Sequence, residues 1–379
     1  MKKGWLTKTL DQISTNLDSR RVPITKGVRE GGEYPYYGAS GIVDYVADYI
    51  FEEDTLLISE DGANLLARST PIAFPASGKY WVNNHAHILK FESLTTQRFV
   101  ELYLESIPLD NYITGAAQPK LNQKALNSIP IPVPPLAEQQ RIVGLLDEAF
   151  EGLATAKANA EKNLQNARAI FESHLQSVLR NKRWKWKTLG ELCDKVEYGS
   201  SAKSKADSGV PVLRMGNIQD GRLDWGNLVY TNDKAEIEKY LLKHNDVLFN
   251  RTNSPELVGK TAIYKNEMPA IFAGYLIRIH RKEELLDADF LTYFLNSQIA
   301  FDYGKTVVIS SVNQANINGT KLKAYPIPSP SLLEQKAIVV QLNELTEETQ
   351  RLARIYERKL AALSELKKSL LHQAFTGEL

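Results

Sequence analysis

The stretch Pro130-Ile131-Pro132-Val133-Pro134-Pro135-Leu136-Ala137-Glu138-Gln139-Gln140-Arg141-Ile142-Val143 is answered 196 residues later by Pro326-Ile327-Pro328-Ser329-Pro330-Ser331-Leu332-Leu333-Glu334-Gln335-Lys336-Ala337-Ile338-Val339. Extending the alignment to 118–143 and 314–339 adds Gln118, Asn122 and Leu126 against Gln314, Asn318 and Leu322, for twelve identities in 26 positions. Average composition would supply about one or two. A second match, at an offset of 179, pairs Trp5-Leu6-Thr7-Lys8-Thr9-Leu10 with Trp184-Lys185-Trp186-Lys187-Thr188-Leu189. The chain is a tandem duplication with the plan globule, helix, globule, helix.

The alternating prolines lock φ and remove donors, so both proline segments are extended and cannot be helical. Behind each comes a proline-free stretch, 136–180 and 331–375, with apolar residues at helical spacing. In the first these are Ile142, Leu146, Ala149, Leu153, Ala156, Ala160, Leu164, Ala167, Phe171, Leu175 and Val178. In the second they are Ile338, Leu342, Leu345, Leu352, Tyr356, Leu363, Leu366 and Leu370, interrupted by Thr349 and Lys359. A spacing of three to four over some five heptads is a coiled-coil seam. The small Ala149, Ala156, Ala160 and Ala167 would face the bulkier Leu and Tyr of the second seam if the two helices pair. Such a pair would be a rod of roughly 65 Å holding two globules apart. The alternative is that each helix packs on its own globule.

The expected divisions are 1–135, 136–180, 181–330 and 331–379, in the order globule, helix, globule, helix. In the first globule Thr55–Ile58 and His87–Phe91 read as strands and 96–106 as a short helix. In the second Val210–Leu213, Asp246–Phe249 and Tyr275–Ile279 read as strands and 289–300 as helical. The expected fold class is α+β, two similar α/β globules separated by two long coiled-coil helices in a pseudo-twofold repeat. Outside the matched blocks little aligns between the globules, which suggests two modules with different contents in one frame.

The 379 residues carry 46 Lys+Arg against 45 Asp+Glu. A net charge of +1 argues at face value against a nucleic-acid-binding protein. By region the picture changes: 181–330 holds 21 basic against 17 acidic residues, and 1–135 holds 13 against 15. One cysteine, Cys193, excludes an intrachain disulfide and a Cys-based zinc cluster, and fits a reducing cytoplasm. No stretch approaches the ~18 apolar residues of a spanning helix, and Met1-Lys2-Lys3-Gly4-Trp5 has no apolar h-region behind it. The expectation is a soluble, unexported, cytoplasmic chain with no membrane partner.

Enzyme signatures are weak. Gly259-Lys260-Thr261 suggests a P-loop, but Ser254 stands where the motif needs glycine. Ala262-Ile263-Tyr264 then reads as a strand where a phosphate-holding helix should begin. His85 and His87 would share one strand face and could serve a metal, yet no third ligand stands at a convincing spacing. No catalytic carboxylate spacing, cofactor motif or metal set is evident, so the chain is expected to catalyse nothing by itself.

Side chains suited to base edges and phosphates cluster in apparent loops: Tyr36-Tyr37-Gly38-Ala39-Ser40, Asp61-Gly62-Ala63-Asn64, Asn83-Asn84-His85, Arg214-Met215-Gly216-Asn217 and Arg251-Thr252-Asn253-Ser254. Arg pairs with guanine, Asn or Gln with adenine, and Tyr or Ser with phosphate. The competing reading is that Asn, Ser and Gly simply mark turns.

Taken together, these residues resemble the specificity (S) subunit of type I restriction-modification systems. The Pro-Ile-Pro-x-Pro-x-Leu-x-Glu-Gln-x-x-Ile-Val blocks at 130–143 and 326–339 and the Trp-x-x-x-Thr-Leu openings carry the resemblance. Tyr36–Ile42, Leu57–Asn64 and Asp246–Arg251 extend it, with Asn245 where the family often has glycine. The resemblance implies two target-recognition domains, each reading half of a bipartite double-stranded DNA sequence, with the two long helices paired antiparallel to hold the domains and set the gap between halves. It implies two M subunits docked on the helices, methylating adenine with S-adenosylmethionine, and R subunits that use ATP and Mg. It leaves this chain without catalytic, cofactor-binding or metal-binding residues. The DNA-facing residues implied are Tyr36, Tyr37, Ser40, Asn64, Arg68, Asn84, His85 and Lys120 in the first domain, and Arg214, Asn217, Arg251, Asn253, Ser254 and Lys260 in the second. Two rivals remain: a coiled-coil protein-interaction scaffold that reads no DNA, and a stand-alone nuclease or methyltransferase, for which no motif is present.

Overall fold

The computed structural model describes residues 4–115, 117–204, 208–219, 221–311 and 314–379, so Met1-Lys2-Lys3 lies outside the described residues. The chain divides into two compact units, residues 1–161 with 357–379, and residues 162–356.

In the first unit one sheet has the neighbour order Thr15–Asn16, Ala86–Lys90, Thr55–Ser59, Ala73–Ala76, all antiparallel. The second unit repeats that order with Cys193–Tyr198, Leu276–Arg281, Val247–Asn250 and Thr261–Ile263. Each unit also has one parallel pairing, Gly31–Gly38 with Lys79–Val82 and Val210–Leu213 with Ile271–Phe272. The correspondence of the globules therefore reaches well beyond the two blocks that align by identity.

The proline segments are strands. Pro130–Val133 pairs with Leu6–Thr9, and Pro326–Ser329 pairs with Lys185–Thr188, both antiparallel. Because side chains and donors alternate along a strand, Pro130 and Pro132 can lie at positions that need no N–H while Ile131 points inward. Ile131 and Ile327 are both fully buried.

The long helices run Leu136–Leu179 and Leu332–Thr376. In the first unit Ile142 and Leu146, near the start of one, share a core with Leu371 and Ala374, near the end of the other. In the second unit the ends are exchanged, with Leu175 and Leu179 against Val339 and Leu342. The helices are thus antiparallel, and each globule packs on the start of one and the end of the other. Aromatic residues repeat the arrangement: Trp5 meets Phe99 edge-on at 6.4 Å, and Trp184 meets Phe290 at 6.5 Å. Of the expected seam, Ala160 and Ala167 are buried, and Thr349 is buried with its hydroxyl donating to the Leu345 and Thr346 carbonyls. Leu366 departs from the expectation. It is 47% exposed, because the 100° advance per residue turns it away while Leu363 and Leu370 stay half-buried. Among the described residues no helix is long and apolar enough to cross a membrane.

Candidate nucleic-acid interface

In the first globule several polar loops converge beyond the end of Thr55–Ser59. The Glu60 N–H donates to the His85 carbonyl, Leu121 N–H to Glu60, Gly62 N–H to Pro119, and Asn83 N–H to Tyr37. The Ser59 hydroxyl donates to the Ala39 carbonyl, which ties in the hairpin tip Gly38–Gly41. Tyr37, Ser40, Asn84, His85 and Lys120 are thereby brought to one end of the sheet. Ser40 and Asn84 are exposed. The His85 Nδ1 lies 2.8 Å from an Asp61 carboxylate oxygen. Tyr37 is half-buried, stacked on Phe74 and edge-on to Tyr80, and burial pushes its hydroxyl pKa up.

Beneath this end lies a charged network that sequence reasoning did not identify. Arg21 donates to Glu60 at 2.6 Å, and Lys120 reaches the other Glu60 oxygen at 3.1 Å. Burial works to raise the Glu60 carboxyl, but the Arg21 and Lys120 contacts outweigh it and hold its pKa below the ordinary value. His87 is fully buried, with one ring nitrogen 2.5 Å from Asp18 and the other 2.8 Å from the Leu121 carbonyl. Both nitrogens are thus occupied internally, and among the described residues no group of three His, Cys, Asp or Glu is placed to hold a metal. The expected shared strand face does not hold, because His85 stands in the turn before strand Ala86–Lys90 and is exposed, whereas His87 lies within the strand on its buried side.

The second globule gathers its loops at the same end. Arg251 N–H donates to the Tyr275 carbonyl, Ile317 N–H to Arg251, Ala273 N–H to Leu213, and Gly274 N–H to Ser200. Arg214, Arg251, Asn253 and Ser254 meet there. The Arg251 guanidinium sits 4.8 Å from the Tyr198 ring centroid. Its bonds are long, 3.3 Å to the Gly274 carbonyl and 3.5 Å to Asn316 Oδ1, and its buried Nε has no partner. Tyr275 is 51% exposed beside it and escaped the sequence reading, although an aromatic after Ala273-Gly274 is a local signal. Asn316 escaped too, although the 196-residue repeat places it opposite Lys120.

Other expected residues are placed differently. Tyr36 is 1% exposed, and its hydroxyl both accepts from the Ile24 N–H at 3.0 Å and donates to the Ile24 carbonyl. Asn64 Oδ1 accepts from Ser69 and Thr70, while Arg68 donates to the Leu104 and Ile107 carbonyls and anchors the helix end there. Asn217 is buried, accepts from the Arg214 N–H and donates to the Asp224 and Gly226 carbonyls. These four shape loops with the polar atoms expected to face outward. Lys260 lines a cleft of about 1050 Å³ within the second unit, walled by Phe171, Trp225, Tyr293, Asn343 and Thr346. Its neighbour Gly259 takes φ +96° and leads into strand Thr261–Ile263, so Gly259-Lys260-Thr261 is a turn before a strand and no phosphate loop.

Comparison with known proteins accords with this architecture. Residues 2–164 and 181–357 match the family model described as the type I restriction modification DNA specificity domain. The chain is 27% identical over 346 residues to S.HindORF215P of Haemophilus influenzae, which bears the name of a type I restriction enzyme specificity subunit; the match covers 89% of this chain and 86% of that protein. It is 25% identical over 314 residues to the type I restriction enzyme EcoKI specificity subunit of Escherichia coli K12, covering 77% and 68%. In fold it is similar, with a TM-score of 0.75 at 17% identity, to a chain from a structure of type I restriction-modification complex assembly, over 100% of this chain and 99% of that one.

Proposed function

The chain belongs to the type I restriction-modification DNA specificity family, and on that premise we propose that it reads a bipartite duplex target, one half-site per globule, for a multi-subunit methyltransferase and endonuclease. The modules are 1–135 and 181–330, and the helices 136–180 and 331–379 set the gap between half-sites. Two M subunits dock on those helices and methylate adenine with S-adenosylmethionine. R subunits join through them with ATP and Mg. The chain itself contributes recognition and spacing while its partners contribute the chemistry, in the cytoplasm.

The observation that carries this reading is the equivalence of the two loop ends: the same end of the same sheet collects polar side chains in both units, with different chemistry at matching positions. In the first domain Ser40, Asn84, His85 and Lys120 face the duplex with Tyr37 at their edge. In the second Arg214, Arg251, Asn253 and Ser254 do so, with Arg251 suited to the paired acceptors of guanine. Tyr36, Asn64, Arg68 and Asn217 act one step back by fixing the loops. The near-neutral net charge fits a reader whose partners supply part of the phosphate grip.

The test is to reconstitute the chain with its methyltransferase subunit and map methylated adenines. Two unlike half-sites at a fixed separation are expected. Methylation without sequence preference would overturn the reading in favour of a scaffold.

A further inference from the structure

We propose that the stretch Arg180-Asn181-Lys182-Arg183-Trp184-Lys185-Trp186-Lys187 of the second unit is a contact surface for the duplex phosphate backbone, separate from the loop end and indifferent to base sequence. The proposal rests on the reading of the chain as a DNA-binding subunit.

Five of these eight residues are cationic, and no Asp or Glu occurs between Glu172 and Glu191. The five cations are all exposed. Among the described residues none of them takes part in an ion pair, whereas elsewhere in this unit Lys195, Lys265, Arg278, Arg281 and Lys305 each do. Two carboxylates face the stretch. Glu191 is engaged by the Thr188 hydroxyl and N–H, and Asp302 by Gln298 and Lys305. Lys187 also acts on Glu191 and Arg180 on Asp302, so these two carboxylates offset part of the positive field, and Lys182, Arg183 and Lys185 carry the remainder.

The surface is built and not a loose tail. After the helix ends at Leu179, Asn181 accepts from the Arg183 N–H at 3.1 Å and its carbonyl from the Trp184 N–H at 3.3 Å, which closes a turn. The chain then enters strand Lys185–Thr188, paired to Pro326–Ser329. Trp186 packs edge-on against Phe294 at 6.1 Å and Trp184 against Phe290. By strand alternation Lys185 and Lys187 project together from the face opposite Trp186. A cation near a helix C-terminus favours the helix dipole, which accounts for Arg180, but Lys182 to Lys187 lie beyond the reach of that effect. At the 179-residue offset Lys3 and Lys8 stand where Lys182 and Lys187 stand, whereas Met1, Gly4 and Leu6 stand where Arg180, Arg183 and Lys185 stand, so the duplicated frame keeps two of the five charges and the second unit adds three.

Chemistry favours nucleic acid over protein as the occupant. Protein interfaces are depleted in lysine at their cores, and the strongly hydrated ammonium is a poor group to bury. Phosphates, in contrast, are neutralised by Lys and Arg with a favourable release of condensed counterions, a salt-dependent, sequence-independent contribution.

The experiment uses the full chain in complex with its methyltransferase subunit. DNA affinity is measured between 50 and 200 mM salt on a target duplex and on a random one. The variant Lys182→Gln/Arg183→Gln/Lys185→Gln/Lys187→Gln is expected to make the slope of log affinity against log salt shallower by about 3 to 4, at ~0.9 per phosphate contact. Both duplexes should be affected alike, with methylated positions unchanged. The milder Lys185→Gln/Lys187→Gln, altering only exposed side chains on one strand face, should lower the slope by about 2. The charge-preserving Lys182→Arg/Lys185→Arg/Lys187→Arg should keep it. An unchanged slope overturns the proposal. So does an altered methylation pattern, which would make the surface a base reader, or loss of partner binding with an unchanged slope, which would make it a protein-docking site. If the wild-type complex shows no sequence preference at all, target reading fails, and the slopes on random duplex still decide the phosphate contact.

Discussion

At the loop end of the first globule Glu60 pairs with Lys120; at the matching end of the second, Arg251 Nη2 donates to Asn316 Oδ1 at 3.5 Å. Lys120 and Asn316 are repeat equivalents, so a neutral partner stands where the first globule has a charged one; Glu60 and Arg251 are equivalent too, each following the central strand directly and each accepting through its carbonyl from the repeat-equivalent N–H of Leu121 or Ile317. The same substitution of a charged by a neutral partner recurs where each globule meets a long helix. Arg98 holds Asp147 through Nε at 3.0 Å and Nη2 at 2.6 Å, whereas the Tyr293 hydroxyl donates to Asn343 Oδ1 at 2.6 Å. Asp147 and Asn343 are again 196 residues apart. A third pair accepts from the backbone just before or at the last strand of the sheet: Glu105 from the Ile72 N–H and Asn296 from the Thr261 N–H. Duplication has kept a contact at each of these places while changing its donor, its acceptor or its charge. A contact defined by position tolerates such exchange as long as one donor still meets one acceptor.

If the two units are readers in one frame, the largest effect should come from changing the frame. A heptad inserted in both long helices should widen the half-site gap by about 10 Å, or three base pairs, and reduce affinity for the original target toward the random-duplex level. Methylation maps with an unchanged gap would contradict the ruler role.

Next in size is Arg278→Ala. Arg278 is buried between Glu197 and Asp246, at 2.6 and 3.0 Å, away from the loop end. Leaving those carboxylates uncompensated should destabilise the second unit by about 3 to 5 kcal/mol, read by denaturant melts, with the methylated sequence unchanged. Arg21→Ala, by contrast, removes the support under Glu60 and should disturb the first half-site as well as stability.

Arg251→Ala should cost about 1 to 3 kcal/mol of discrimination at one half-site while M-subunit binding persists. Equal loss of M binding would count against a reading role.

The helix contacts should sharpen the comparison further. Asp147→Asn weakens a partly exposed ion pair and should cost about 0.5 to 1 kcal/mol, whereas Asn343→Asp keeps an acceptor for Tyr293 and should cost less. Thermal unfolding of the two single variants would check the order, and the reverse order would refute it.

The smallest effect at neutral pH is the titration of Glu197. Burial works to raise its carboxyl, but Arg278 and His280 bring it down to about 2. A carboxyl depressed in the folded state stabilises fully above about pH 4.5, and that contribution fades as pH falls toward 2. Glu197→Gln should therefore flatten the acid limb of melting temperature against pH in that window.

Much of the frame was legible in the residues. The extended proline strands and the two long helices follow from proline chemistry and from apolar spacing, and both occur; the antiparallel direction of the helices was implied by the family resemblance alone, and the cores of both units have it. Leu366 was misplaced because a heptad count does not say where a seam steps between neighbouring positions. The kinship of the two sheets was hidden, since Glu60 and Arg251, or Asp147 and Asn343, share a position without sharing a type. Of the loop residues, turn chemistry and base-reading chemistry use the same Asn, Ser and Tyr, so Tyr36, Asn64 and Asn217 could not be separated from Ser40 and Asn84 by type.

The sequence by itself determined the duplication, the proline strands, the two long helices and the kind of family to which they point. Those features depend on dihedral restriction and on a 3.6-residue period, which neighbours along the chain impose. Only the tertiary structure decided which polar side chains turn inward to hold loops, which meet at one end of each sheet, and that the cations at 180–187 are exposed and, among the described residues, make no ion pair. Those outcomes depend on contacts between residues tens to hundreds of positions apart, and no local pattern encodes them.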